Sequence, residues 1–207
     1  MATVFAREAK RISDDLAAEL KLLIGILSEV QCDEIVSAAD AVFQTVRRDK
    51  TVFLMGNGGS ASTAEHLSND LMRIFLNAGR QCKARCLASN ISIMTALAND
   101  FNYSALFRKQ LELEASPGDL IIAISVSGKS QNCLEALRYA NSMGYKTLGL
   151  LGSDGGICKH MCEISLHVPN DDFMLVENMH LILCHAIARA VERLLRQSPQ
   201  EASTALN

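Results

Sequence analysis

Thr51 to Asp70 reads TVFLMGNGGSASTAEHLSND, and its three parts decide the fold class. Thr51 to Met55 is an apolar β-type run. It empties into Gly56-Asn57-Gly58-Gly59-Ser60, where three glycines permit backbone conformations that a side chain forbids. A helical stretch follows, with His66 and Asp70 one turn apart on one face. A glycine-rich strand-to-helix turn lets a ligand lie against main-chain N–H groups at a helix N-terminus, which favours anions. The segment therefore predicts an anion cradle beside a carboxylate and an imidazole.

Outward from this stretch the same alternation repeats. Short β-type runs occur at 51–55, about 82–87, 119–125, 146–151 and 163–168. Helical patterns fill about 59–77, 90–98, 103–114, 129–143 and 154–161, and a long one runs from about 172 to 196. Strand-then-helix repetition with continuous apolar strands predicts an α/β protein, a parallel sheet covered on both faces. Before it, residues 1–50 carry two helices with a break near Gln31. Residues 51–197 form the main domain, folded as one unit with those helices, and 198–207 is a polar tail.

The composition is globular: 207 residues, 49% hydrophobic and 21% charged. A net charge of −3 gives no electrostatic basis for nucleic-acid binding. Apolar runs such as Leu120 to Ile124 are too short to cross a bilayer. Charges at Arg7, Glu8, Lys10 and Arg11 exclude a secretory signal, which predicts a cytoplasmic protein. The seven cysteines are scattered, with no CxxC pair, and fit reduced thiols. Cys158-x-His160-x-Cys162 is at most half a zinc site, since no second pair of matching spacing exists.

Ligands on open parallel sheets sit at the carboxyl ends of strands. That rule selects Gly56–Ser60, then Ser125-Val126-Ser127-Gly128-Lys129-Ser130, then Gly152-Ser153-Asp154-Gly155-Gly156. Neither a Walker loop nor a complete GxGxxG is present, so a nucleotide is a weak reading. Two Gly/Ser loops leaving neighbouring strands can hold one phosphate. The last helix adds Glu177, His180 and His185 in an otherwise apolar segment. Eight residues separate Glu177 from His185, about 80° of net rotation at about 3.6 residues per turn, so both lean to one side. Hydrogen-bonded core histidines are one reading. A His/Asp/Glu/His set for a divalent ion, two donors from each helix, is the other.

Together these pieces resemble the sugar isomerase (SIS) superfamily, and within it the sedoheptulose 7-phosphate isomerase (phosphoheptose isomerase) family. The resemblance rests on Gly56–Ser60, His66, Asn99-Asp100-Phe101, Ile124–Ser130, Gly155-Gly156, Val168-Pro169, Glu177-Asn178-Met179-His180 and His185. It covers the chain in order to about Arg196. It implies a three-layer αβα sandwich on a five-stranded parallel sheet, with N-terminal helices packed against partner subunits in a homotetramer and active sites between subunits. It implies an aldose–ketose isomerase working through an enediol(ate), with Asp70 and His185 catalytic. Phosphosugar binding falls to Asn57, Gly58, Gly59, Ser60, Asn99, Asp100, Ser125, Val126, Ser127, Ser130 and Glu177. Zinc or a similar ion would sit on His66, Asp70, Glu177 and His185.

The chain departs from the family pattern at four places. Asp70 stands where glutamate is usual, and Leu175-Val176-Glu177-Asn178 replaces Arg-Ile-Gln-Glu. Val126 and Lys129 replace Thr and Asn in the second loop. Two alternatives stay open: a non-catalytic phosphosugar-binding or regulatory SIS protein of the replication-initiation regulator type, and an isomerase for another sugar phosphate. The acid at Asp70 favours an enzyme over the first.

Overall fold

The computed structural model describes residues 2–198. The tail expected at 198–207 therefore lies outside the described residues apart from Ser198. Two helices open the chain, α1 (Ala2–Glu29) and α2 (Cys32–Arg47), broken at Gln31 as the periodicity predicts. There follow β1 (Thr51–Met55), α3 (Gly59–Asn77), β2 (Lys83–Cys86) and α4 (Ile91–Asp100). A 3₁₀ turn at Tyr103–Ala105 leads into α5 (Leu106–Glu114). The chain closes with β3 (Leu120–Ser125), α6 (Gln131–Ser142), β4 (Lys146–Leu151), α7 (Gly156–Lys159), β5 (Ile164–His167) and α8 (Phe173–Gln197). Two helices start on side-chain caps: at α4 Asn90 accepts from Ile93 N, and at α8 Asp172 accepts from Met174 N and Leu175 N.

All five strands are parallel, in the order β2-β1-β3-β4-β5. From β1 the chain first moves outward to β2, then crosses back to β3. The loops leaving β1 and β3 therefore part in opposite directions and open a crevice at their carboxyl ends. β3 sits centrally with all six residues buried, which explains its unbroken apolar run.

The period of two along each strand divides the core between two layers. Val52 and Leu54 of β1, with Ile122 and Ile124 of β3, pack against α2, α3 and α8. Phe53 and Met55, with Ile121 and Ala123, face α5 and α6. The αβα sandwich expected from the sequence is the architecture observed. Buried Asp119 ties its base: Oδ1 accepts from Thr51 N at 2.8 Å and Oδ2 from Ser116 N at 2.7 Å.

α8 alone among the described helices is long and apolar enough to cross a membrane by composition. Here it is the core helix, packed on α2 and α3. α1 is the opposite case. Leu23 is its buried hydrophobic residue, while Phe5, Ile12, Leu16, Leu20 and Ile24 are exposed.

Candidate active site

The carboxyl ends of β1 and β3 build the cradle. α3 begins at Gly59 behind Gly58, with no side-chain cap on its first N–H groups. Ser60, in its first turn, is buried. From the other side, Ser125 Oγ and Ser130 Oγ lie 3.3 Å apart. Gly128 N donates to Ser125 Oγ and Lys129 N to Ser127 Oγ, so the second loop curls around its own hydroxyls. Ser130 precedes α6 without capping it, which leaves its hydroxyl turned to the cavity. The resulting space, about 100 Å³, is lined by Asn57, Ser60, Ser125, Val126, Ser127, Ser130 and Glu177 among others. Hydroxyls and two helix N-termini converging on one small space are the donor set of an anion site.

Asn57 is fully engaged. It exchanges amide hydrogen bonds with Asn132 at 2.9 and 2.8 Å, and its Oδ1 also accepts from Tyr103 Oη at 2.8 Å. Its side chain thus locks the β1 loop to α6 and to the turn after α4.

Further along α3, the face that meets α8 carries the acid and one imidazole, and α8 supplies the second, His185. His66 Nε2 and His185 Nε2 lie 2.9 Å apart. Asp70 Oδ2 is 3.3 Å from the first and 3.7 Å from the second. Arg73 donates to the other oxygen, Asp70 Oδ1, at 3.1 Å. Asp70 therefore presents a single oxygen to the imidazoles. They open onto a cavity of about 480 Å³ whose far wall holds Arg189 and Glu192.

These three donors fit a metal. A tetrahedral ion with bonds of about 2.0–2.1 Å spaces its ligand atoms by about 3.3–3.4 Å. The observed separations of 2.9, 3.3 and 3.7 Å bracket that spacing. Two imidazole nitrogens and one carboxylate oxygen suit zinc and leave a position open.

The SIS domain family model matches residues 17–152. This chain belongs to the SIS-domain family. It is 36% identical over 185 residues to a phosphoheptose isomerase of Pelobacter propionicus, covering 88% of this chain and 98% of that one. It therefore groups with the phosphoheptose isomerases, which are enzymes. The structure of the phosphoheptose isomerase from Neisseria gonorrhoeae superposes with a TM-score of 0.80 at 27% identity, over 88% of this chain and 99% of that one. A phosphoheptose isomerase structure from Francisella tularensis shares the fold, with a TM-score of 0.83 at 24% identity, over 90% and 98% of the two chains.

Within this SIS fold, the expected residues divide into three groups. Asn57, Ser60, Ser125, Val126, Ser127 and Ser130 come together in the cradle. His66, Asp70 and His185 come together as the trio. Glu177, expected with the trio, is not one of its converging donors: its carboxylate rests over Gly59, where a Cβ would overlap it. Asn99 and Asp100 bond to each other at 2.9 Å at the exposed end of α4 and line neither cavity. Sequence reasoning missed Arg73, Asn132 and Tyr103. Arg73 lies one turn from Asp70, the spacing of an ion pair, and that signal was available. Asn132 and Tyr103 carry no comparable signal, because their partner Asn57 is more than 40 positions away.

The cysteines take no part. Cys133, Cys158 and Cys184 are buried, and burial pushes the thiols of Cys158 and Cys184 up to about 11 and about 12. Cys158, His160 and Cys162 form no donor cluster.

His180, by contrast, is fully buried, and neither ring nitrogen has a hydrogen-bond partner among the described residues. Burial pushes its pKa down to about 4, with the nearby Leu151 backbone offsetting a small part. The fold holds this ring neutral, whereas the unfolded chain protonates it near pH 6.5. Stability is thus complete above about pH 6.5 and falls as pH drops toward 4, by roughly 3 kcal/mol. Urea titrations across that window should show this slope, and His180→Leu should flatten it.

Proposed function

We propose that the protein isomerises sedoheptulose 7-phosphate, or a closely related heptose phosphate, between its ketose and aldose forms. The reading is carried by the convergence of His66 Nε2 and Asp70 Oδ2, on the helix whose N-terminus builds the serine cradle, with His185 Nε2 from α8. Ser60, Ser125, Ser127 and Ser130 hold the phosphate. Asn57 keeps the cradle's two loops in register.

In the ketose-to-aldose direction, a base removes a proton from C1 and the electron pair forms the C1–C2 double bond of an enediol(ate). A proton is then returned to C2, while the hydroxyl proton of O1 is lost and O2 gains one. Asp70 and His185 are the pair that holds and moves these protons. A carboxylate and an imidazole held side by side are a usual pair for general acid–base work. Arg73 fixes the carboxylate so that Oδ2 faces the reacting carbons. His66, Asp70 and His185 would hold zinc and leave its fourth position open to the sugar oxygens. Bound zinc supplies Lewis-acid polarisation of the carbonyl and hydroxyl oxygens.

The open apolar face of α1 supports assembly with further copies of this chain, which we take to be a tetramer. Intersubunit sites give Asn99 and Asp100 a place to act, on a neighbour's substrate. The small charge and the sugar-phosphate cradle support a cytoplasmic enzyme of heptose supply.

The test is direct. The purified full chain should convert sedoheptulose 7-phosphate to the heptose 7-phosphate and leave unphosphorylated sedoheptulose untouched. Equal turnover of both sugars would remove the cradle from the mechanism.

A further inference from the structure

Asp70 and His185 move the protons of the isomerisation, and the reaction also develops negative charge. When the C1 proton leaves, that charge gathers on O1 and O2 of the enediolate, where the bound ketose carries none. A fixed cation facing those oxygens favours the transition state over the ground state.

The cavity beside the trio holds two guanidinium groups, Arg73 and Arg189. Arg73 is engaged, donating to Asp70 Oδ1 at 3.1 Å. Arg189 is not: no hydrogen bond or ion pair holds it among the described residues. Glu192, the carboxylate on the same wall, bonds Arg196 at 2.7 Å instead.

The helix carries Arg189 toward the reacting end. It follows His185 on α8 by four residues, about 6 Å of rise and about 40° of net rotation, so both share one side. Helix side chains incline toward the N-terminus, which tips Arg189 back toward the His185 ring. Its side chain is long enough to span that rise, and both residues line the same cavity of about 480 Å³. A guanidinium presents parallel N–H groups that can grip a pair of neighbouring oxygens. It stays charged at every working pH, so it adds electrostatic stabilisation without competing for the protons.

We propose that Arg189 is a further catalytic residue, donating hydrogen bonds to O1 and O2 of the enediolate formed between Asp70 and His185. This rests on the isomerase reading above. Arg189 is exposed, so its replacement opens no void in the core.

The experiment compares the native full chain with Arg189→Ala and Arg189→Lys on sedoheptulose 7-phosphate. Arg189→Ala should lower kcat by on the order of 10², the loss of one oxyanion donor, with KM moving by less than about threefold. Arg189→Lys keeps the charge without the fork and should recover about tenfold of that loss. Added guanidinium ion, kept well below denaturing concentration, should restore part of the Arg189→Ala rate and leave His185→Ala unchanged. Calorimetry with the hydroxamate of a sugar-acid phosphate, whose paired oxygens mimic the enediolate, should show Arg189→Ala binding it more weakly by a similar factor. A native kcat in Arg189→Ala overturns the proposal. So does a lowered kcat that neither lysine nor guanidinium ion restores while hydroxamate binding stays native. If the native chain itself turns over no sugar phosphate, the isomerase reading fails and takes this role with it; in an active native chain the variants judge Arg189 alone.

Discussion

Asp70→Asn and His185→Ala should each lower kcat for heptose-phosphate isomerisation by about 10²- to 10⁴-fold, the range a positioned acid or base supplies. KM should change much less than kcat, because the serine cradle that holds the phosphate opens onto a different cavity from the trio. Asparagine keeps the shape of Asp70 and one oxygen for Arg73, so the loss reports charge and basicity rather than packing. His185 is half-exposed, and its removal leaves no buried void to confuse the result. Metal analysis adds a second readout: with one of three donors gone, His185→Ala should come off gel filtration depleted of zinc relative to the native chain. Asp70→Glu is the informative control. Its carboxylate would reach about one bond further, and it is the acid that the family resemblance implies at this position. It should retain activity within about tenfold, since the Asp70 Oδ2 to imidazole distances of 3.3 and 3.7 Å leave room for adjustment. Native rates in both Asp70→Asn and His185→Ala would remove these residues from the chemistry.

Much of this arrangement was legible in the chain, and the limits have physical causes. The sheet was readable because β3 is buried on both faces and must be apolar throughout, while edge strand β2 alternates as KARC does. The His66/Asp70 pair was readable because helical spacing alone puts both on one face. Its pairing with His185 was one of two readings the residues left open and the one the family resemblance implied; periodicity could not choose it, because it needs the contact between α3 and α8. Glu177 shows where phase arguments stop. An offset of about 80° places it on the same side as His185, yet about 12 Å of axial rise lets the two serve different cavities. The Asn57, Asn132 and Tyr103 network was invisible for another reason. Amides and phenols look like surface residues until the fold closes loops from β1, α6 and the α4 end onto one another.

Gly128→Ala should be the most damaging single-methyl change in the chain. Gly128 adopts φ +60, where a side chain costs about 1–2 kcal/mol by itself. More important is what its Cβ would meet: it would overlap the Gly155 carbonyl, a backbone group that cannot rotate away. Reciprocally, a Cβ on Gly156 would overlap the Gly128 carbonyl, which also accepts from Cys158 N at 3.0 Å. The loops after β3 and β4 are thus packed backbone on backbone. Alanine at 128 must push them apart, straining that bond and the one from Gly152 N to Ser125 O at 3.1 Å. We expect a loss of at least about 3 kcal/mol in urea unfolding, the left-handed cost plus overpacking. Gly144→Ala separates the two contributions. Gly144 has φ +69, and an added methyl there would meet nothing within 4 Å, so it should lose only the left-handed cost, about 1 kcal/mol. The excess at Gly128 measures how tightly the two loops meet. Because Ser125, Ser127 and Ser130 ride on the loop that must move, whatever Gly128→Ala protein folds should also show a raised KM with kcat less affected. Equal losses at 128 and 144 would mean that the loops yield freely, and that the cradle is held by its hydroxyls rather than by its backbone.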